Sequence, residues 1–264
     1  MTSTSEDAPR GFSKAAQSYD AAVQRNIQGS ERLVMSLPAG DYRTVLDVGC
    51  GTGFTAAAMA ERFPVERIVG VDPAEGMLEQ FAAKRDAFPG VELDLRAEDV
   101  MAMDVPDDSF DAVLCAMALH WFPDKPGAVA RMARALAPGG VMGILSAGRG
   151  GEEPWQQLLV DIGAPEAWTG WFAANQRDVD EIAADLRAAG LEPLDVWMER
   201  RRRHTPPGDF MARTRSVAAH LLGNPPGGGF SELDQRIEAA LHERSGPEGF
   251  VYDYCKLFAV ARRP

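Results

Sequence analysis

The stretch Val45–Phe54, VLDVGCGTGF, constrains the fold more than any other part of the chain. Residues typical of a buried strand precede three glycines at every second position, Gly49, Gly51 and Gly53, and an alanine-rich helical pattern follows. Glycine loses more backbone entropy on folding than other residues, so this density predicts a turn that needs exposed backbone. Such a turn aims N–H groups and the positive helix end at a ligand.

Strand and helix patterns alternate from this turn to Ala147. The predicted strands are Thr44–Gly49, Arg67–Asp72, Val91–Arg96, Phe110–Ala118 and Val141–Ala147. Predicted helices between them span about 52–62, 74–87 and 127–137, the last one ending at PGG. This order is typical of βαβ units and predicts a parallel sheet with helices on both faces.

Beyond Ala147 the pattern changes. We expect helices over about 155–162, 179–189, 209–222 and 231–244, with Ser231 as an N-cap, and strands over 194–205 and 251–263. A 264-residue chain with 45% hydrophobic residues suits one large domain. We predict a disordered segment at 1–11 and a single domain at 12–264, with cap and substrate elements within 148–249.

The formal net charge of −12 disfavours phosphate-backbone binding, so we expect neither nucleic acid nor anionic membranes as partners. No apolar run approaches the length of a membrane span. Three distant cysteines, Cys50, Cys115 and Cys255, offer no metal-ligand spacing. We therefore predict no metal, reduced thiols and a cytoplasmic location.

The glycine spacing is GxGxG, which matches neither the dinucleotide fingerprint GxGxxG nor a P-loop. Asp47, just before the turn, would repel phosphates but suit a cation. Asp72 ends the second strand, where a carboxylate can accept both hydroxyls of a ribose. Asp99 follows the third strand and could take an adenine amino group, although the neighbouring Glu98 could serve instead. Together these residues predict a site for a cationic nucleoside.

Four segments in this order and spacing, VLDVGCGTG, VGVDPAEGML, AEDVMAMDVPDDSFDAVLC and LAPGG, resemble the class I S-adenosylmethionine (SAM)-dependent methyltransferases. FSKAAQSYDAA (12–22) is similar to the N-terminal segment of ubiquinone C-methyltransferases and malonyl-carrier-protein O-methyltransferases. ALHWF, PWQQLL, DFMARTRSVAAHLL and YDYCKLFAVARR resemble the trans-aconitate-type carboxyl methyltransferases. The resemblance implies a Rossmann-like seven-stranded, mostly parallel sheet with an antiparallel last strand and a helical cap insertion.

The resemblance also implies roles for individual residues. Tyr19 would close over SAM, Asp72 would hold the ribose, and Asp99 would bind adenine. The other implied cofactor contacts are Asp47, Gly49, Cys50, Gly51, Gly53, Met77, Val100, Cys115 and Ala116.

The substrate side is less defined by the sequence. His120 follows the fourth strand at the carboxyl edge of the sheet, where an imidazole could act as a base or only orient the cofactor. We predict substrate contacts from His120, Trp121, Arg215 and His220, with Arg213 as an alternative anion-binding arginine. Arg200–Arg203 would alternate between the two faces of a strand. Trp155, Trp168, Trp171 and Phe172 would form either a lid or a core under the cap.

We therefore predict an enzyme that methylates a small bacterial secondary metabolite, at a carboxylate or hydroxyl oxygen, as a monomer or homodimer. N- or C-methylation and a non-catalytic SAM-binding protein remain alternatives. The Asn/Asp-Pro-Pro-aromatic motif of base-modifying methylases is absent after the fourth strand, where the chain reads CAMA. The glycine spacing disfavours a nicotinamide-dependent oxidoreductase.

Overall fold

A computed structural model describes residues 8–22, 24–170, 174–217 and 231–264. A seven-stranded sheet lies at its centre, in the order β3-β2-β1-β4-β5-β7-β6. The strands are β1 Thr44–Val48, β2 Arg67–Val71, β3 Glu92–Arg96, β4 Phe110–Ala116, β5 Leu136–Ala147, β6 Glu192–Thr205 and β7 Phe250–Arg262. Strands β1 to β5 pair in parallel, and β7 runs antiparallel to both β5 and β6. The predicted mostly parallel sheet with an antiparallel last strand is confirmed.

Ten α-helices surround the sheet in the described parts of the chain. They are α1 Ala8–Ala22, α2 Gln24–Met35, α3 Phe54–Arg62, α4 Glu75–Ala82, α5 Lys125–Ala135, α6 Glu153–Asp161, α7 Glu166–Thr169, α8 Val179–Ala188, α9 Pro207–Val217 and α10 Glu232–Arg244. Two short 3-10 helices, Arg85–Ala87 and Leu119–Trp121, follow α4 and β4. None of the described helices is long and apolar enough to cross a membrane.

Local sequence signals explain where several helices begin and end. The Asp178 side chain accepts hydrogen bonds from the Asp180 and Glu181 N–H groups, and the Glu181 carboxylate accepts one from the Asp178 N–H, which forms a capping box at the start of α8. Ser231 caps α10 as predicted, by accepting from the Asp234 N–H at 3.1 Å. Helix α5 ends at Ala135, before the predicted PGG stop, because Leu136 already pairs with Phe110 of β4.

At the N-terminus, α1 begins at Ala8, so residues 8–11 are helical where the sequence predicted a disordered segment up to residue 11. The backbone of Ser13 in this helix lies against Gly76 of α4, where an added Cβ would stand 2.6 Å from the Ser13 carbonyl oxygen. Glycine at position 76 therefore allows α1 to pack closely across the start of α4.

The segment after β5 forms a second apolar cluster beside the sheet. Trp155 of α6 is buried and packs on Phe210 of α9, with ring centroids 4.9 Å apart, and Phe210 contacts Tyr252 of β7 edge to face. Trp155 is thus part of a core under the cap and not of a lid. Trp168 lies in α7, whereas Trp171 and Phe172 lie outside the described residues.

Candidate functional site

A cavity of about 420 Å³ opens where β1, β2 and β4 reach their carboxyl ends, with α1 across its mouth. Ligands of open α/β sheets bind at this edge. The predicted cofactor and substrate residues on its wall are Tyr19, Gly49, Cys50, Gly51, Asp72, Met77, Asp99, Ala116 and Trp121. Further wall residues are Ala8, Pro9, Phe12, Ser30, Thr52, Phe54, Thr55, Pro73, Ala74, Met117, Ala118, Phe122 and Pro123.

The glycine turn forms the floor of this cavity. Gly49 and Cys50 donate their N–H groups to the Val71 carbonyl, at 2.7 and 3.2 Å, which ties the turn to the end of β2. Gly51 and Gly53 have φ of +52° and +88°, a conformation that side chains disfavour. A Cβ at Gly51 would meet no atom within 4 Å, whereas a Cβ at Gly53 would stand 2.6 Å from the Phe81 ring. Gly51 therefore leaves room for a ligand, and Gly53 leaves room for the core.

Asp72 fastens the turn and also faces the cavity. One carboxylate oxygen accepts the Gly51 N–H and the other accepts the Ala74 N–H, both at 2.9 Å. Burial raises the pKa of Asp72, although these two hydrogen bonds oppose the effect. A carboxylate oxygen accepts more than one hydrogen bond, so both oxygens retain capacity for a pair of ligand hydroxyls.

Asp47 lies in β1 beneath the turn and not on the cavity wall. The residue is 1% exposed, and neither carboxylate oxygen makes a hydrogen bond of good geometry to any described residue. Burial raises its pKa to about 7, against the opposing influence of the Ala56 N–H at the start of α3. An unpaired buried acid under the floor suits a ligand with positive charge and opposes a phosphate.

These observations fit the cofactor that the resemblance implied. SAM carries a sulfonium and an amino group but no phosphate, and it needs an acceptor for its ribose. The open space at Gly51, the acceptors of Asp72 and the buried acid at Asp47 meet those needs.

The predicted adenine-side residues divide between wall and core. Asp99 lies on the cavity wall and Glu98 does not, because Glu98 instead accepts the Asp104 N–H at 2.9 Å. Met77 is on the wall, while Val100 and Cys115 are buried in the hydrophobic core. Burial raises the pKa of the Cys115 thiol. The Cys115 side chain therefore does not line the cavity, and its neighbour Ala116 does.

Helix α1 closes the cavity through aromatic contacts. Phe12 packs edge to face on Trp121, with ring centroids 5.3 Å apart, and also on Tyr19 at 6.1 Å. At the other end of α1, the Thr52 hydroxyl in the glycine turn hydrogen-bonds to Asp20 at 2.6 Å. The sequence indicated Tyr19, but it gave no separate signal for Phe12 or for the link from Asp20 to the turn.

His120 is buried and is not on the cavity wall. Its Nδ1 lies 3.2 Å from the Ser146 hydroxyl and accepts the Ala147 N–H at 3.4 Å, so the neutral ring carries its proton on Nε2. Burial, aided by the charge of Lys125, lowers the pKa of His120 to about 3. A base with this pKa stays unprotonated near neutral pH but accepts protons weakly. The position favours an orienting role over the predicted general-base role.

The predicted arginine contacts lie away from the cavity wall. Arg215 of α9 pairs with the fully buried Asp234 at 2.5 Å and with Glu238 at 2.9 Å, both on α10. Arg213 pairs with Glu152 at 3.0 Å. These ion pairs join the cap helices to each other and to the loop before α6. His220 lies outside the described residues.

Met117 was missed by the sequence analysis, although it directly follows β4 and lines the cavity. It has φ of +56°, an uncommon conformation for a residue with a side chain, and its N–H donates to the Leu145 carbonyl at 2.6 Å. Strained backbone of this kind is concentrated at ligand sites. Because no glycine marks the position, sequence alone carries no signal for it.

The chain matches known methyltransferases in sequence. Residues 45–140 match the family model described as a methyltransferase domain. A trans-aconitate 2-methyltransferase of Variovorax paradoxus (strain S110) is 32% identical over 188 residues, which cover 68% of this chain and 69% of that protein. A malonyl-[acyl-carrier protein] O-methyltransferase of Dechloromonas aromatica (strain RCB) is 28% identical over 96% of this chain and 93% of that protein.

Solved structures show the same fold at lower identity. A Haemonchus contortus phosphoethanolamine N-methyltransferase 2, in complex with phosphomonomethylethanolamine and S-adenosylhomocysteine, superposes with a TM-score of 0.58 at 17% identity. The match covers 94% of this chain and 57% of that one.

Proposed function

Because the chain belongs to the class I SAM-dependent methyltransferases, we propose that it transfers a methyl group to a carboxylate oxygen of a small acidic metabolite. The relatives named above act, by their names, on trans-aconitate and on a malonyl group, and both of these acceptors carry carboxylates. A small acidic acceptor is the simplest class that both names share.

The observation that carries the proposal is that, among the described residues, the part of the cavity wall at and after the end of β4 has no imidazole or carboxylate that could act as a base. The wall there consists of Ala116, Met117, Ala118, Trp121 and Phe122 among the described residues. His120, which is close to this wall in sequence and buried but does not line the cavity, has a pKa lowered to about 3 by burial and by the charge of Lys125. A carboxylate is already deprotonated and needs no base, whereas a hydroxyl acceptor gains from one.

The residues of this chain would mainly align SAM with the acceptor and exclude water from the site. Asp72 would accept the ribose hydroxyls, Asp99 would lie at the adenine, and the turn at Gly51 would adjoin the methionine part. Bound SAM supplies a methyl group made electrophilic by its sulfonium. The apolar wall would strip water from the acceptor, and α1 would exclude solvent through Phe12 and Tyr19.

The test is product analysis with deuteromethyl-labelled SAM and a panel of mono-, di- and tricarboxylates, phenols and amines. We expect a labelled methyl on a carboxylic acid, formation of S-adenosylhomocysteine, and loss of the label under mild alkali, which cleaves an ester. Label that withstands alkali, or labelling confined to phenols or amines, would refute the carboxylate acceptor.

We extend the proposal to a cytoplasmic enzyme of bacterial secondary metabolism, active as a monomer or homodimer. The three cysteines are buried free thiols, which is in keeping with a reducing compartment. Cell fractionation with an antibody to the native protein, and light scattering of the purified protein, test the compartment and the oligomeric state.

A further inference from the structure

A second cavity, of about 280 Å³, lies between α2 and the antiparallel strands β6 and β7 and is here called the basic pocket. Its lining residues are Gln28, Gly29, Arg32, Glu199, Arg201, Arg203, Tyr254, Lys256 and Phe258. Four of them are cations and one is a carboxylate, in a chain whose net charge is −12. A local excess of positive charge in an acidic protein attracts small anions.

Strand alternation selects which arginines of the basic run reach this pocket. Arg201 and Arg203 line it, whereas Arg200 and Arg202 reach Asp253 of β7 at 3.6 and 3.1 Å. The expectation that the run divides between two faces is confirmed. The arginines facing away have an acidic partner, and Arg202 therefore offers a matched control for Arg203.

The acidic side chain of the pocket is already engaged. Glu199 accepts from Arg32 at 3.2 Å, from Arg201 at 3.1 Å and from the Trp197 indole at 3.4 Å. The Nε of Arg203 is buried and has no hydrogen-bond partner among the described residues. A buried guanidinium nitrogen without an acceptor costs free energy that an incoming anion would recover.

The excess of positive charge in the pocket also affects the pKa of Lys256. Burial, aided by the charges of Arg201, Arg203 and Arg213 against the opposing influence of Glu199, lowers the pKa of Lys256 to about 8. Its ammonium packs over the Cα of Gly29 on α2, where any side chain would collide with Nζ. Glycine at position 29 thus leaves room for the Lys256 ammonium in the pocket.

The basic pocket adjoins the methyl side of the cofactor cavity. Tyr254 lines the pocket, and its hydroxyl lies 3.8 Å from the Sδ of Met117, which lines the cavity. On α2, Gly29 faces the pocket and the next residue, Ser30, faces the cavity. The Met117–Tyr254 contact therefore lies between the two spaces.

We propose that the basic pocket binds a second carboxylate of the acceptor, so that Arg203 and Lys256 select di- or tricarboxylates over monocarboxylates. This inference rests on the proposed function, since it places the methylated carboxylate at Met117 and the retained one at Arg203. It replaces Arg213 and Arg215 as the predicted anion-binding residues, because both already pair with carboxylates of the cap.

The test measures binding separately from methyl transfer. Calorimetric titration of trans-aconitate, and of crotonate as a monocarboxylate, into the S-adenosylhomocysteine complex is compared for the wild type, Arg203→Gln and Arg202→Gln. We expect trans-aconitate to bind the wild type and Arg202→Gln alike. Loss of a charge-assisted contact predicts about 10- to 100-fold weaker binding to Arg203→Gln. Crotonate should bind weakly to all three, and affinity for S-adenosylhomocysteine should not change.

A second variant, Lys256→Met, tests whether the effect of Arg203→Gln comes from lost charge in the pocket and not from a local change in structure. It should weaken the binding of trans-aconitate to a similar degree. If a tricarboxylate is methylated, KM should rise in both variants while kcat changes little, as expected for lost uniform binding. Equal binding by Arg203→Gln and Arg202→Gln, or no binding of trans-aconitate to the wild type, would overturn the inference. Binding that depends on Arg203 without any methyl transfer would support the pocket and refute the proposed function.

Discussion

Among single residues, the two buried acids of the site, Asp72 and Asp47, differ in their hydrogen bonds. Asp72 makes two backbone hydrogen bonds, while Asp47, one strand away, has no hydrogen bond of good geometry among the described residues. Burial raises the pKa of both carboxyls, and it raises the pKa of Asp47 to about 7. Asp47 is therefore a residue whose charge state should change near neutral pH.

Replacing Asp47 with asparagine should make stability less dependent on pH. A pKa that is higher in the folded than in the unfolded state favours folding at low pH, and this contribution is lost as pH rises toward about 7. The wild type should lose about 2–3 kcal/mol relative to Asp47→Asn between pH 5 and 8. Urea unfolding of the ligand-free protein at several pH values measures the difference, with the exposed Asp41→Asn as control. Parallel pH profiles for Asp47→Asn and wild type would contradict the raised pKa.

Substitutions at Gly51 and Gly53 of the turn should affect ligand binding and folding stability to different degrees. Gly53→Ala places a methyl against the Phe81 ring at positive φ and should cost about 1–3 kcal/mol of unfolding free energy. Gly51→Ala carries a backbone cost of about 1–2 kcal/mol at positive φ, but its methyl points into open space, so it should weaken S-adenosylhomocysteine binding more than Gly53→Ala does. Urea unfolding and calorimetry on both variants measure the two effects. Equal loss of affinity in both would show that Gly51 does not face the ligand.

For helices and strands, the sequence predicts which side chains of a strand share a face. It does not predict which other elements cover that face. The pattern of β6 predicts that Arg201 and Arg203 share one face. It does not say that α2 covers that face, because the packing of α2 depends on contacts distant in sequence, such as Gly29 against Lys256. The same limit applies to His120, whose burial depends on Ser146 and Ala147 of β5.

The α9–α10 pair should behave as a structural unit and not as a substrate clamp. Arg215→Met removes an ionic partner from the buried Asp234, so we expect a loss of about 2–4 kcal/mol in unfolding free energy, below the range for fully buried pairs because Arg215 is partly exposed. The exposed Arg236→Met on α10 should cost little. Urea unfolding measures both variants. Unchanged stability with a raised acceptor KM in Arg215→Met would restore the predicted substrate role.

At the scale of the whole molecule, the sheet was predictable because its parallel half repeats one simple unit. Buried strands followed by amphipathic helices fix β1 to β5, and the glycine turn marks the edge that carries the site. The cap was only outlined, since α6 packs on α9 through Trp155 and Phe210, and the sequence left Trp155 open between a lid and a core. The closure by α1 likewise depends on aromatic partners, Phe12 and Trp121, that lie more than a hundred residues apart.

If the cavity under α1 holds SAM through Asp72, calorimetric titration of S-adenosylhomocysteine should detect the loss of that side chain. Wild type, Asp72→Asn and the exposed control Asp86→Asn would be compared. An asparagine keeps one acceptor but sets its NH₂ group against a backbone N–H, so we expect affinity to fall by about 10- to 100-fold in Asp72→Asn only. Equal affinity in all three folded proteins would show that Asp72 does not hold the ribose and would place the cofactor elsewhere.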